Sequence, residues 1–70
     1  MNSKELKIEI VRNDISIPKL AEKIGISKKA MYSKISGQSS FNQREISAIA
    51  DALKLSNERL CEIFFKDLVS

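Results

Sequence analysis

Residues 25–37 read "GISKKAMYSKISG", a short apolar-spaced segment held between the only two glycines of the chain. A glycine just past a helix ends it cheaply, because it takes the left-handed conformation without a Cβ penalty. Ser27 stands where a helix cap would, and Met31 and Ile35 sit four residues apart, so the spacing predicts a helix over about 28–36. That helix opens with Lys28 and Lys29. A helix start already carries about half a positive charge from its unpaired N–H groups, and it favours Asp or Glu. Two cations there oppose the helix's own field, so they point to something anionic outside it.

Working outward, the same start signal recurs. In a hydrophobic staple, the residue before the cap packs on a residue five positions later. Ile15-Ser16 is followed by Leu20, Ile26-Ser27 by Met31, Phe41-Asn42 by Ile46 and Leu55-Ser56 by Leu60. Glu45 completes a capping box with Asn42. These pairs fix four helix starts, at about 17–24, 28–36, 43–53 and 57–65. Pro18 falls in the first turn of its helix, where no intrahelical bond is lost. The buried stripes are expected to be Leu20, Ala21 and Ile24, then Ile46, Ile49, Ala50 and Leu53 at helical spacing. An earlier helix, about 3–13, is expected to be capped by Ser3 and to bury Leu6, Ile10 and Val11. No segment alternates as a strand does. The fold class is therefore all-α, a single five-helix domain over 1–70 with a tail at 66–70.

Helices two and three are short and joined by about three residues around Gly25. Helix, tight glycine turn, helix is the unit that sets its second helix in the DNA major groove. It spans about 16–37 here.

Composition and charge agree with that class. The chain has 70 residues, 43% apolar and 30% charged, with one cysteine and no histidine. An internal disulfide and most metal sites are excluded, and so is any Ser-His or Cys-His catalytic pair. Glu5 and Glu9, and Glu58 and Glu62, are carboxylates four apart, expected on solvated helix faces rather than as catalytic pairs. Cys61 is expected to be a small buried hydrophobe. No apolar run approaches a membrane span and no signal-peptide pattern opens the chain, which suggests a cytoplasmic protein. The net charge is +3, but residues 15–44 hold six basic side chains against Glu22 alone, a balance of +5. The other forty residues hold six basic and eight acidic groups. A basic segment in an otherwise acidic domain is the footprint of a nucleic-acid face, although a solvated lysine-rich face has the same composition.

At "LAEKIGISKKAMYSKISG" the sequence resembles the phage Cro and repressor-type helix-turn-helix family, often called XRE. The likeness covers about 15–64 and includes Leu20-Ala21, Gly25, Ser27, Met31, Gly37 and the "ALKLS" that closes helix four. More narrowly, "REISAIADALKLSNERLCEIFF" is similar to small phage-encoded regulators from Gram-positive hosts. Three positions depart from the family pattern. Ile17 stands where Gln is common, Ile35 where Glu is common, and Lys34 where an apolar residue is usual. Ile35 is therefore expected to pack toward helix one.

The resemblance implies that helix three enters the major groove by its N-terminal end. Lys28, Lys29, Tyr32 and Ser33 would then face bases, with Ala30, Met31 and Ile35 inward. A misplaced lysine costs a few tenths of a kcal/mol, while a guanine contact contributes about 1–3 kcal/mol, so binding can outweigh the penalty. Phosphate contacts are expected from Ser16, Ile17 and Lys19 at the start of helix two, from Lys34, and from the loop residues Gln38, Ser39, Ser40, Asn42, Gln43 and Arg44. Tyr32 has a second reading as a ring covering the turn. Asn42 is favoured as a cap and Phe41 as a staple rather than a wedge between bases. On helix five, Leu60, Ile63 and Phe64 serve the core. Cys61, Phe65 and Leu68 form another stripe, read as a homodimer contact or as a C-terminus folded over the core.

The expected function is a Cro-like transcriptional repressor that binds a palindromic double-stranded DNA operator. It is expected to use no cofactor, metal or small-molecule ligand and to catalyse no reaction. The alternative is a protein-interaction module, antirepressor-like, on the same fold. RNA is disfavoured because the sequence offers no aromatic platform.

Overall fold

The computed structural model describes residues 1–65. Five helices follow one another: α1 (Ser3–Arg12), α2 (Ile17–Ile24), α3 (Lys28–Ile35), α4 (Gln43–Leu53) and α5 (Asn57–Phe64). Among the described residues there is no strand, and no helix is long and apolar enough to cross a membrane.

The four predicted starts are present. The side chains of Ser16, Ser27, Asn42 and Ser56 each accept a hydrogen bond from the backbone N–H three residues on. At α4 the box is reciprocal, since Glu45 Oε1 accepts from the Asn42 N–H at 3.0 Å. Gly25 and Gly37 both have positive φ, +82° and +91°. Two further turns use the same conformation without glycine, at Asp14 and Lys54, after α1 and α4.

Each helix contributes one side chain to the driest part of the core: Leu6, Leu20, Met31, Ile49 and Ile63 are fully buried. Burying each is worth about 2–3 kcal/mol against the exposed chain. Ile10, Ala21, Ile24, Ile35, Leu53 and Phe64 complete the core, Ile46 and Leu60 pack at its edge rather than inside it, and Ala50 is half-buried. Helix α2 is central and packs on both α3 and α4, and α1 lies against α5.

Helix α1 differs from expectation in three ways. Its cap is Asn2, which accepts from the Glu5 N–H. Ser3 instead donates its hydroxyl to the Ile35 carbonyl at 2.6 Å, tying α1 to the end of α3. Val11 is 77% exposed, because the core-facing stripe of α1 is only Leu6 and Ile10 wide. The carboxylates of α1 are not solvated. Arg59 of α5 holds Glu5 and Glu9 at 2.8 Å each, and Glu9 also pairs with Arg12 at 3.1 Å. Glu9 first, then Glu5, hold the Arg59 guanidinium still more firmly protonated. Glu58 and Glu62 do remain at the surface.

Candidate nucleic-acid interface

The turn that carries α3 is built by hydrogen bonds to α2. Gly25 N–H donates to Ala21 and Glu22 carbonyls, and Ile26 N–H donates to Ala21 at 3.0 Å. Half-buried Ile26 packs on the core, and Ser27 then caps α3 through the Ala30 N–H. Only Met31 and Ile35 of α3 are buried, so the helix rests on the domain by one narrow edge. Ala30 is half-buried beside them.

The opposite face is open. Lys28 and Lys29 are exposed, and among the described residues neither is paired with a carboxylate. Tyr32 is 48% exposed, so about half of it is open to solvent. Lys29, Tyr32, Ser33, Ser36 and Gln38 line one shallow surface depression. Four of these five positions were singled out from sequence. Ser36 was not, since it lies at the helix end, where it donates its hydroxyl to the Ser33 carbonyl at 2.9 Å.

Ser33 is more engaged than its exposure suggests. Its carbonyl accepts from the Gln38 N–H at 3.0 Å, and its hydroxyl lies 3.3 Å from that of Ser39. The loop after α3 is thereby folded back beside the helix. Gln38, Ser39 and Ser40 are exposed along it, and Gln43 and Arg44, expected in the loop, are exposed in the first turn of α4. Asn42 is committed to its cap, and Phe41 is half-buried with its ring edge-on to Phe64 at 5.8 Å. Phe41 thus has its ring engaged with α5.

Lys34 departs from expectation. Its ammonium turns away from solvent onto Glu45 Oε1 at 2.8 Å and the Ser40 carbonyl at 3.1 Å, and it lies 5.9 Å from the centre of the Phe41 ring. The two side chains are only 17% and 11% exposed. The Lys34 hydrogen bond, followed by the Asn42 amide, holds the Glu45 carboxyl below the usual carboxylate range, against the opposing effect of its burial. In the free domain this ammonium already has two oxygen partners. Glu45, which also serves the α4 cap, supplies the counter-charge. The apolar Ile35 beside Lys34 is buried, as expected.

The start of α2 is also thinner than sequence suggested. Pro18 has no N–H, and the Lys19 N–H is used by Ser16. The Ile17 amide remains, together with the Lys19 ammonium, which sits 3.6 Å from Glu22. Setting aside the cations paired in Lys19–Glu22 and Lys34–Glu45, the basic segment presents Lys23, Lys28, Lys29 and Arg44.

On α5, Cys61 is exposed rather than buried. Phe65 is half-buried, with its ring 6.4 Å from Phe64 and its inner side on the core. It is divided between the core and the outer face. Leu68 lies outside the described residues. Among those described, no group of three or more His, Cys, Asp or Glu side chains converges as a metal site would.

A glycine turn between two short helices, with the second held by one edge and bearing unpaired cations at its free start, defines a helix-turn-helix nucleic-acid-binding domain. The chain belongs to the Cro/C1-type helix-turn-helix DNA-binding domain family, whose model matches residues 5–66. No curated protein and no solved structure matches the chain significantly.

Proposed function

We propose that this DNA-binding domain is a transcriptional repressor of the Cro type, encoded by a phage or prophage of a Gram-positive host and acting in the bacterial cytoplasm. The 70-residue unit reads a palindromic double-stranded operator as a homodimer. The observation that carries this proposal is the unpaired Lys28-Lys29 at the exposed start of α3. Nothing within the described fold rewards them there, whereas a guanine edge or a phosphate would.

In this scheme Lys28, Lys29 and Tyr32 face the base edges and Ser33 stands behind them. Ser16, Ile17, Lys19, Gln38, Ser39, Ser40, Gln43 and Arg44 approach the sugar-phosphate backbone. Phosphate contacts set the register of the helix, and base contacts set the preference. One short helix reads only a few base pairs, so a two-fold pair of subunits with half-sites about 10 bp apart supplies the needed information. Cys61, Phe65 and Leu68 are the proposed contact between subunits.

The test is binding selection from random duplexes at two salt concentrations. Enrichment of a two-fold symmetric site whose affinity falls steeply with salt supports the proposal. Failure to enrich any site, with no salt-dependent binding, would refute it and favour the protein-interaction alternative.

A further inference from the structure

Resting on the proposed dimer, we infer which surfaces meet: the basic outer stripe of α1 in one copy docks on the acidic outer stripe of α5 in the other. Helix α1 carries Lys4, Lys7, Ile8 and Val11 at i, i+3, i+4 and i+7, one continuous face. This face lines a surface groove of about 670 Å³ and includes Val11, the most exposed large apolar residue among those described. Neither Lys4 nor Lys7 is paired with a carboxylate among the described residues. Helix α5 carries Glu58, Cys61 and Glu62 at i, i+3 and i+4, and Phe65 follows as its C-cap, with part of its ring still outside the core. Glu58 is exposed and has no cation partner there, and Glu62 touches only Arg59, at 3.4 Å.

Helical spacing turns both stripes away from the core. Glu5, Glu9 and Arg59 occupy the seam between α1 and α5, and Leu6, Ile10, Ile63 and Phe64 occupy the core side. The stripes fall on the remaining, outer faces of the two helices. The two helices run in opposite directions, since the Asn2 N–H meets the Ile63 carbonyl while Glu9 meets Arg59.

Charge decides the pairing. If α5 met α5, the two rows of glutamate would face one another; if α1 met α1, the lysines would. Only the crossed arrangement brings each row against the opposite sign, and it places Ile8 and Val11 against Cys61 and Phe65. A two-fold axis makes this contact twice, α1 on α5 and α5 on α1, which is the requirement for a closed dimer. Helix α1 is ten residues long, or about 15 Å. A patch of two such helices is small for a permanent interface, so association is weak and salt-sensitive, and DNA completes it.

The experiment is sedimentation equilibrium of the full chain, with circular dichroism to confirm helix content. The wild type is expected to dimerise and to dissociate more readily as salt rises. Lys4→Glu/Lys7→Glu is expected to weaken the dimer at least about tenfold, because acidic α1 now meets acidic α5. Glu58→Lys/Glu62→Lys is expected to do the same. An equimolar mixture of the two variants regains a heterodimer, since each then offers the sign the other lacks. Lys7→Gln, which removes a single charge, gives a smaller loss in the same direction and serves if a double variant loses its helices. An α1 variant that dimerises like the wild type overturns the inference and leaves α5 against α5. A mixture that stays monomeric overturns it also. A wild type that is monomeric at every concentration removes the solution dimer altogether, and the DNA selection then reports separately on the repressor reading.

Discussion

Replacing Lys34 with methionine keeps most of the stem volume but strips Glu45 of its main counter-charge. Both side chains are less than a fifth exposed, and the contact is a short charge-assisted bond at 2.8 Å. Hydrogen bonds to charged groups contribute about 1.5–3 kcal/mol, and removing one partner leaves the other partly desolvated. Glu45 keeps the Asn42 amide, which limits the loss. Lys34→Met is therefore expected to destabilise the fold by about 2 kcal/mol, or roughly 10 °C in Tm for a domain of this size. The effect has a pH signature. Because the folded Glu45 carboxyl titrates below its ordinary range, its contribution is fully present above the unfolded carboxylate value of about 4.3. It is lost as pH falls through the lower, folded value. Glu45→Gln should therefore start less stable at neutral pH and lose less on acidification than the wild type. Urea unfolding followed by circular dichroism at pH 7 and pH 3 measures both. A Lys34→Met protein within about 0.5 kcal/mol of wild type would mean the pair behaves as an ordinary solvated surface ion pair. Lys34→Met should also leave the salt dependence of DNA binding unchanged, since this ammonium already has two oxygen partners in the free domain. A shallower slope would return Lys34 to the DNA-contacting set.

Lys29→Ala is expected to weaken operator binding by about 1–3 kcal/mol and to relax preference at one base pair, measured by anisotropy on single-base variants of the selected site. Its folded stability should be equal or slightly higher, as a cation is removed from a helix start. The log–log salt slope should be about −3 per subunit if three of Lys23, Lys28, Lys29 and Arg44 each neutralise a phosphate, and a slope near zero refutes the electrostatic footprint. Lys54→Gly should stabilise the domain by about 0.5–1 kcal/mol, because a side chain now holds a left-handed position at φ 55° that glycine takes without penalty. Equilibrium unfolding that shows a loss instead would mean the Lys54 stem contributes packing that outweighs its backbone strain.

The parts of the fold legible in the sequence are those decided within a few residues. Caps and staples at Ser16, Ser27, Asn42 and Ser56 set four helix starts because each needs only a side-chain oxygen and an apolar pair at fixed separation. Helix α1 was harder to read at its start, where Asn2 and Ser3 are adjacent residues of capping type and Ser3 is drawn off by a carbonyl 32 positions away. Val11 follows Ile10 directly and so sits about 100° round the helix from it, on the outer stripe with Lys4, Lys7 and Ile8, and an apolar side chain alone does not say which face it takes. The candidate site follows the same division. Exposed Lys28, Lys29 and Tyr32 follow from the position of Met31 and Ile35. The fate of Lys34 depends on Glu45, eleven residues on, and that of Glu5 and Glu9 on Arg59, some fifty residues on. Nothing in local spacing announces such partners. The left-handed turns at Asp14 and Lys54 were invisible because no glycine marks them.

The narrow seat of α3 also bears on how such a protein can change over generations. Folding asks for Met31 and Ile35, and the Ser33 carbonyl that anchors the following loop is backbone, which any residue supplies. Positions 28 and 29 carry almost no obligation to the core, and position 32 only about half of one side chain. Substitutions there can accumulate with little loss of stability, so a lineage can move from one DNA target to another without passing through an unfolded ancestor. Divergence in target should then outpace divergence in architecture, with the drift concentrated on one face of eight residues.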